Sequence, residues 1–234
     1  MKAILLVPAL IILLTASLRT FAATITETVT YTPGVAVPDD STVGVADTRI
    51  FSSAILLVSE VRVTLTISGA PTPGDAFNGD LYAYLTHGSG FAVLLNRTGR
   101  TAGNDDGYAD SGFAVTFADA TAGADIHNYR LFAPIGGGPL TGVWSSDGRN
   151  VNPLVALDTT PRTAFLTSFN GANPNGEWTL FVADLSPTGT ARVESWRLEV
   201  TGETVPEPTT TALLALASTG AMLARGRRGW SQTF

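Results

Sequence analysis

The sequence predicts an all-β sandwich, and three observations carry that prediction. Apolar and polar residues alternate with period two through the interior of the chain, the spacing of half-buried strands. The alternating runs are short and are separated by clusters of Gly, Pro, Asn and Asp. No interior segment carries a sustained apolar stripe at the helical period, which leaves sheet packed on sheet as the way to bury the apolar residues.

The elements follow in order. Residues 24–31 form a first, weaker strand with Ile25, Val29 and Tyr31 inward. Residues 60–68 form the clearest one: Val61, Val63, Leu65 and Ile67 face one way, and Arg62, Thr64, Thr66 and Ser68 the other. Residues 81–86 and 91–96 bracket His87-Gly88-Ser89-Gly90, whose two glycines indicate a hairpin turn. Residues 113–117 align Phe113, Val115 and Phe117. Residues 178–183 and 193–201 form the last pair, with Trp196, Leu198 and Val200 on one face and the turn-rich stretch 184–189 between them. The stretch 118–164 is the least regular, with loops at 136–139 and 145–150, and loops on a β framework are where binding usually resides. Large aromatics at alternating positions bury area first, so Trp178 and Trp196 belong to the core. Tyr108 and Trp144 instead stand among Gly, Ser and Asp in predicted loops, where they either stack on a ligand or cap a core edge. Asp147 and Arg149 share that candidate ligand loop with Trp144.

The chain has 234 residues and no cysteine, so neither a disulfide nor thiolate chemistry is available. Residues 23–202 hold eighteen Asp and Glu against nine Arg and no Lys, a formal charge of −9. That balance excludes a basic nucleic-acid footprint and suits extracellular solubility or divalent cations.

Both ends are addresses. Met1-Lys2, an apolar run from 3 to 18 and the small residues around Ala22 form a signal peptide over residues 1–22, handled by the Sec translocon and signal peptidase. At the other end the linker 203–208 contains Val205-Pro206-Glu207-Pro208, which cannot propagate a helix. Residues 209–224 then carry no charge, and Arg225, Arg227 and Arg228 supply a basic stop. The run spans roughly 24 Å as a helix, short of the roughly 30 Å hydrocarbon core. Motif, apolar helix and arginines in that order resemble the PEP-CTERM sorting signal of Gram-negative bacteria. The resemblance implies transient anchoring in the inner membrane by the helix over 209–228 and recognition by an exosortase-type transpeptidase. Delivery to the cell surface or extracellular matrix would follow. Residues 229–234 extend past the arginines, where such tails usually stop.

Three segments inside the folded part also line up: Asn78-Gly79-Asp80-Leu81 before a strand, Gly176-Glu177-Trp178-Thr179-Leu180-Phe181-Val182-Ala183-Asp184, and Ser195-Trp196-Arg197-Leu198-Glu199. Together they resemble the P domain, or P/Homo B domain, the accessory domain of proprotein convertases and subtilisin-like proteases. The resemblance implies a jelly-roll β-sandwich over residues 23–202 and an association with proteolysis.

Protease chemistry itself is missing from the sequence. A triad needs a nucleophile, a base and an orienting carboxylate, and the only histidines are His87 and His127. His87 falls in the predicted hairpin turn, and His127 reads as a loop or edge histidine without a second ligand at metal spacing. The carboxylates are the stronger candidates. Asp105, Asp106 and Asp110 place hard oxygens in a flexible segment of the kind calcium prefers, and Asp80 and Asp184 border strands at acidic positions of the resembled family. Their plainer role is turn and strand-end hydrogen bonding. Asn96-Arg97-Thr98 matches a glycosylation sequon but abuts a strand.

The expectation is an exported, non-catalytic P-domain-like protein with a structural or binding role. Two alternatives stand beside it: a calcium-assisted polysaccharide-binding module, and an accessory domain acting in trans on a separate subtilisin-like protease.

Overall fold

A computed structural model describes residues 22–69, 76–119, 123–133 and 138–205. The predicted signal peptide up to residue 21, the sorting motif beyond Val205, the hydrophobic helix and the terminal tail lie outside the described residues. Among the described residues, no helix is long and apolar enough to cross a membrane.

Strands dominate the described chain. In order they are β1 (Thr24–Tyr31), β2 (Val35–Ala36), β3 (Ser41–Phe51), β4 (Ile55–Gly69), β5 (Leu81–His87), β6 (Gly90–Asn96), β7 (Phe113–Phe117), β8 (Leu140–Trp144), β9 (Gly176–Asp184) and β10 (Ala191–Thr204). One sheet runs β1-β10-β4-β7-β8, with β2 also paired to β10, and the other runs β3-β9-β5-β6. The predicted all-β sandwich is therefore what the chain forms. Every strand pairing is antiparallel except β7–β8, which is parallel.

Register explains why the two sheets bury one common core. Along β4 and β10, Val61 pairs with Val200, Val63 with Leu198 and Leu65 with Trp196, so the apolar faces of the two longest strands coincide. β7 continues the layer, with Phe113 opposite Ile67, Val115 opposite Leu65 and Phe117 opposite Val63. The other sheet supplies Leu81, Ala83 and Leu85 from β5 and Trp178, Leu180 and Val182 from β9, all buried. Each such large side chain contributes about 1.5–3 kcal/mol on burial. The predicted hairpin is present as β5 and β6 with Gly88 at φ +55° in its turn.

Several expectations are corrected at the edges. In β1, Ile25 and Tyr31 pack partly against the core, but Val29 is 37 % exposed, because an edge strand paired only with β10 has little to cover its far end. β10 runs to Thr204, three residues beyond the predicted end, by pairing with the start of β4. Trp144 is not in a loop. It ends β8, is 6 % exposed and joins the core, its indole N–H donating to the Thr141 carbonyl at 2.9 Å.

The irregular stretch after β8 also has a definite place. The amides of Asp147 and Gly148 donate to the carbonyls of Leu94 and Val93, and Val93 donates to Ala164, so this segment closes the outer edge of β6. An otherwise bare strand edge is satisfied in this way, and the loop is held against the sheet.

Candidate functional site

Two of the three sequence motifs meet at one end of the β3-β9-β5-β6 sheet. Leu81, the first residue of β5, stands opposite Asp184, the last residue of β9, and the Leu185 amide donates to the Asp80 carbonyl at 2.9 Å. A 3-10 turn, Asn78–Asp80, feeds the chain into β5. Gly79 is dictated by close approach: a Cβ there would overlap the Asp106 carbonyl oxygen and lie 2.7 Å from the Tyr108 nitrogen. The acidic loop thus rests directly on the motif backbone. Between them opens a cavity of about 320 Å³ lined by Phe77, Asp80, Asp106, Tyr108, Ser186 and Thr188, among others.

The electrostatics of this corner are unusual. Asp184 is 1 % exposed, and burial pushes its carboxyl up to about 7, with the charge of Asp80 adding to the effect. Asp80 is also raised, mainly by burial, against the opposing pull of the Ser186 hydroxyl and the Arg97 charge. Asp184 Oδ1 is buried without a hydrogen-bond partner. Arg97 is the counter-ion. Its Nη2 lies 3.6 Å from Asp80 Oδ1 and donates to Ser186 Oγ at 2.7 Å, while Nε donates to the Gly79 carbonyl at 2.9 Å. It holds this position with φ +52°, a backbone region that a non-glycine residue keeps only when its surroundings fix it.

The turn after Arg97 connects the pocket to a second cluster, fully buried at His127 and Asp147 and partly exposed at Asp125 and Arg162. His127 Nε2 faces the Arg100 carbonyl at 2.9 Å and Nδ1 faces Asp147 Oδ2 at 2.9 Å. Asp147 Oδ1 in turn pairs with Arg149 at 3.2 Å, and Arg149 reaches Asp125 at 2.9 Å. Arg162 completes the chain, donating to the carbonyls of Asp147 and Ser146. Nearby, Asp119 accepts from both Ser145 and Ser146 and from the Leu166 amide.

The predicted residues are therefore distributed over different environments. Asp105 is on the surface, its side chain 84 % exposed and 3.9 Å from Arg100. Asp110 turns away from it, accepting from the Tyr129 hydroxyl at 2.7 Å and from Arg130 at 2.6 Å. Asp106 lines the cavity together with Asp80. Tyr108 lines it too, with the Arg130 guanidinium 4.6 Å from its ring centroid. Among the described residues, no three His, Asp or Glu side chains are grouped to hold a metal ion. The corner offers oxygen donors suited to calcium and one orphaned carboxylate oxygen, but the Arg97 guanidinium already supplies a positive charge there.

Asp147 and Arg149, expected on a ligand loop, are 0 % and 2 % exposed and serve the buried cluster. His127 is not an edge residue but fully buried. His87 ends β5, stacks on Trp178 at 4.2 Å and faces the carbonyls of Glu177 and Asn173 with its two nitrogens. Asn96 of the sequon is also fully buried, donating to the Arg149 carbonyl. Sequence reasoning missed Arg97, Asp119, Asp125 and Arg162. The only signal for them is charge placed in loops flanking strands, which does not distinguish a buried pair from a solvated one.

No family model matches the chain, and no curated protein matches it in sequence. Among solved structures, it is similar to a chain in the crystal structure of the Aeromonas sobria serine protease and chaperone complex. The identity is 13 %, the TM-score 0.43, and the match covers 78 % of this chain. The chain spans 28 % of the length of that neighbour.

Proposed function

We propose that residues 23–205 are the folded body of an exported, non-catalytic P-domain-like protein that acts as a binding or structural module at the cell surface or in the extracellular matrix. One observation carries the reading: the Asp80 and Asp184 motifs, far apart in sequence, meet beside one cavity, with Asp80 on its wall and an under-compensated negative charge behind it. Binding then belongs to this corner, and its preferred contacts are cationic. The non-catalytic assignment is supported by the histidines, since both ring nitrogens of His87 and of His127 face backbone carbonyls or a carboxylate. Sorting by the C-terminal signal completes the proposal, on the strength of the motif order in residues 205–228.

The experiment is mass spectrometry of protein recovered from the cell surface, combined with a fluorophosphonate probe for serine hydrolases. A C-terminus near Pro208 and no probe labelling are expected. An intact Phe234 overturns the sorting assignment, and stoichiometric labelling overturns the non-catalytic one.

A second reading is calcium-assisted binding of a polysaccharide, with Asp80 and Asp106, the carboxylates on the cavity wall, as the side chains that would meet the ion. Calcium should then raise the melting temperature of the wild type and not of Asp80→Asn/Asp106→Asn, by ligand linkage. A melting temperature that does not move with calcium removes this reading.

A further inference from the structure

The outer edges of the two sheets are not equally protected. The β6 edge is covered by the segment around 147–164, as described above. β3 has no such cover. It is the terminal strand of its sheet, paired only with β9, and no backbone hydrogen bond joins its residues 42–51 to anything beyond that sheet among the described residues. Its pairing with β9 is continuous from Val45 to Phe51 and is interrupted only before Val45, where Gly44 turns with φ +55°. This seven-residue window, Val45-Ala46-Asp47-Thr48-Arg49-Ile50-Phe51, contains no proline, lysine or bulge, and its only charged residues are Asp47 and Arg49. Within it Ile50 is 76 % exposed.

We infer that the β3 edge pairs with the β3 edge of a second copy of this chain, antiparallel and centred on Thr48. The charge pattern selects this partner and this register. With Thr48 opposite its own copy, Asp47 of one chain stands opposite Arg49 of the other, and the reverse pair forms across the two-fold axis. Opposite charges directly across an antiparallel pair stabilise it, and the two charges that would repel a copy in a shifted register attract it in this one. Of the remaining pairs, Ala46 meets Ile50, so the exposed Ile50 gains a neighbour on each chain, while Val45 stands opposite Phe51, whose side chain stays in its own core. The symmetry of the regular window about Thr48 lets all seven residues pair. An unrelated extended peptide lacks the reciprocal Asp and Arg at this spacing.

Contacts within the chain hold those charges in place. Asp47 accepts from the Trp196 indole N–H at 2.7 Å and lies 2.9 Å from Arg49, whose guanidinium stands 5.5 Å from the Tyr31 ring centroid. Arg49 is still 41 % exposed in its side chain, which leaves donors for a carboxylate of the second copy. One strand pair buries less than the roughly 800 Å² per partner of a standard interface, so the association is weak on its own and gains from high local concentration at a surface.

The absence of cysteine gives a direct test on the full chain. Residues opposite each other in antiparallel strands have Cα atoms about 4.5–5.5 Å apart, within disulfide reach. Thr48→Cys in detergent-solubilised full-length protein should therefore oxidise to a covalent dimer on a non-reducing gel. Thr28→Cys on the β1 edge and Val43→Cys, outside the window, should remain monomeric under the same conditions. A second variant, Thr48→Lys, places like charges on the axis and should abolish cross-linking by a lysine-independent zero-length or photo-reactive reagent, with tryptophan fluorescence confirming the native fold. Association through the hydrophobic termini is unaffected by Thr48→Lys and so is distinguished. The proposal is overturned if Thr48→Cys stays monomeric, if Thr28→Cys or Val43→Cys dimerises as readily, or if folded Thr48→Lys cross-links as the wild type does.

Discussion

Replacing Asp184 by Asn removes a buried charge and keeps a side-chain oxygen to accept from the Ser186 backbone. The folded protein holds a proton on Asp184 up to about pH 7, whereas the unfolded chain releases it near the ordinary carboxylate value. Between those two pH values the folded state binds more protons. The contribution of Asp184 to stability is therefore greatest below about pH 4 and is lost as pH rises through 7. The full separation corresponds to a ceiling of about 4 kcal/mol at 1.4 kcal/mol per pH unit, and sharing of the field with Asp80 reduces what one substitution recovers. We expect Asp184→Asn to be about 1–3 kcal/mol more stable than the wild type at pH 8 and equal to it at pH 4. Urea unfolding at pH 4, 6 and 8, followed by the fluorescence of Trp178 and Trp196, measures this, and the variant-minus-wild-type difference cancels the other carboxylates. A variant less stable than the wild type at pH 8, or a difference that does not change with pH, refutes the assignment of an under-compensated charge at this corner.

Three further substitutions probe the scaffold around it. Gly79→Ala pushes a methyl group into the Asp106 carbonyl and should cost about 1–3 kcal/mol in urea unfolding, with greater proteolytic access at residues 105–108. Asp147→Ala strands His127 and Arg149 inside the protein and should cost about 3–5 kcal/mol; a loss under 1 kcal/mol would mean that the cluster is not structural. Trp196→Phe keeps the ring in the core but removes the indole donor to Asp47, and a thermal or urea melt should register about 1.5–3 kcal/mol.

The parts of the fold legible in the sequence are those where one face is buried along a whole strand. β4 alternates without exception from Val61 to Ile67 because its neighbours on both sides, β10 and β7, bury the same face. β3 was not visible, since an edge strand with one paired side keeps Val43 and Ile50 exposed and shows no clean alternation. β8 was hidden for a different reason. Its pattern is buried only at Leu140 and Trp144, the outer residues of a short strand made by parallel pairing with β7 after a long connection. At the candidate site the motif carboxylates Asp80 and Asp184 could be named from sequence, because they terminate recognisable strands. Arg97 could not, because what makes it a counter-ion is a left-handed turn that folds its side chain back under Gly79.

The two charged regions of this sandwich differ in how far their carboxylates are satisfied. In the cluster around Asp147, the carboxylate receives His127, Arg149 and the Asn96 amide, and Arg149 divides its donors between Asp125, Asp147 and two carbonyls. These bonds fix the segment that covers the β6 edge, although Asn96 Oδ1 and Arg100 Nε beside them are buried without a partner, as Asp184 Oδ1 is. At the cavity the same chemistry is left open. Asp184 Oδ1 has no donor, Asp80 meets its arginine at 3.6 Å, and two carboxyls share one guanidinium. A buried polar group left unsatisfied costs about 1–3 kcal/mol, and packing elsewhere in this core could have selected a neutral residue at either position. Incomplete compensation of a carboxylate beside a solvent-connected cavity is the observation on which the proposed binding role of the Asp80–Asp184 corner rests.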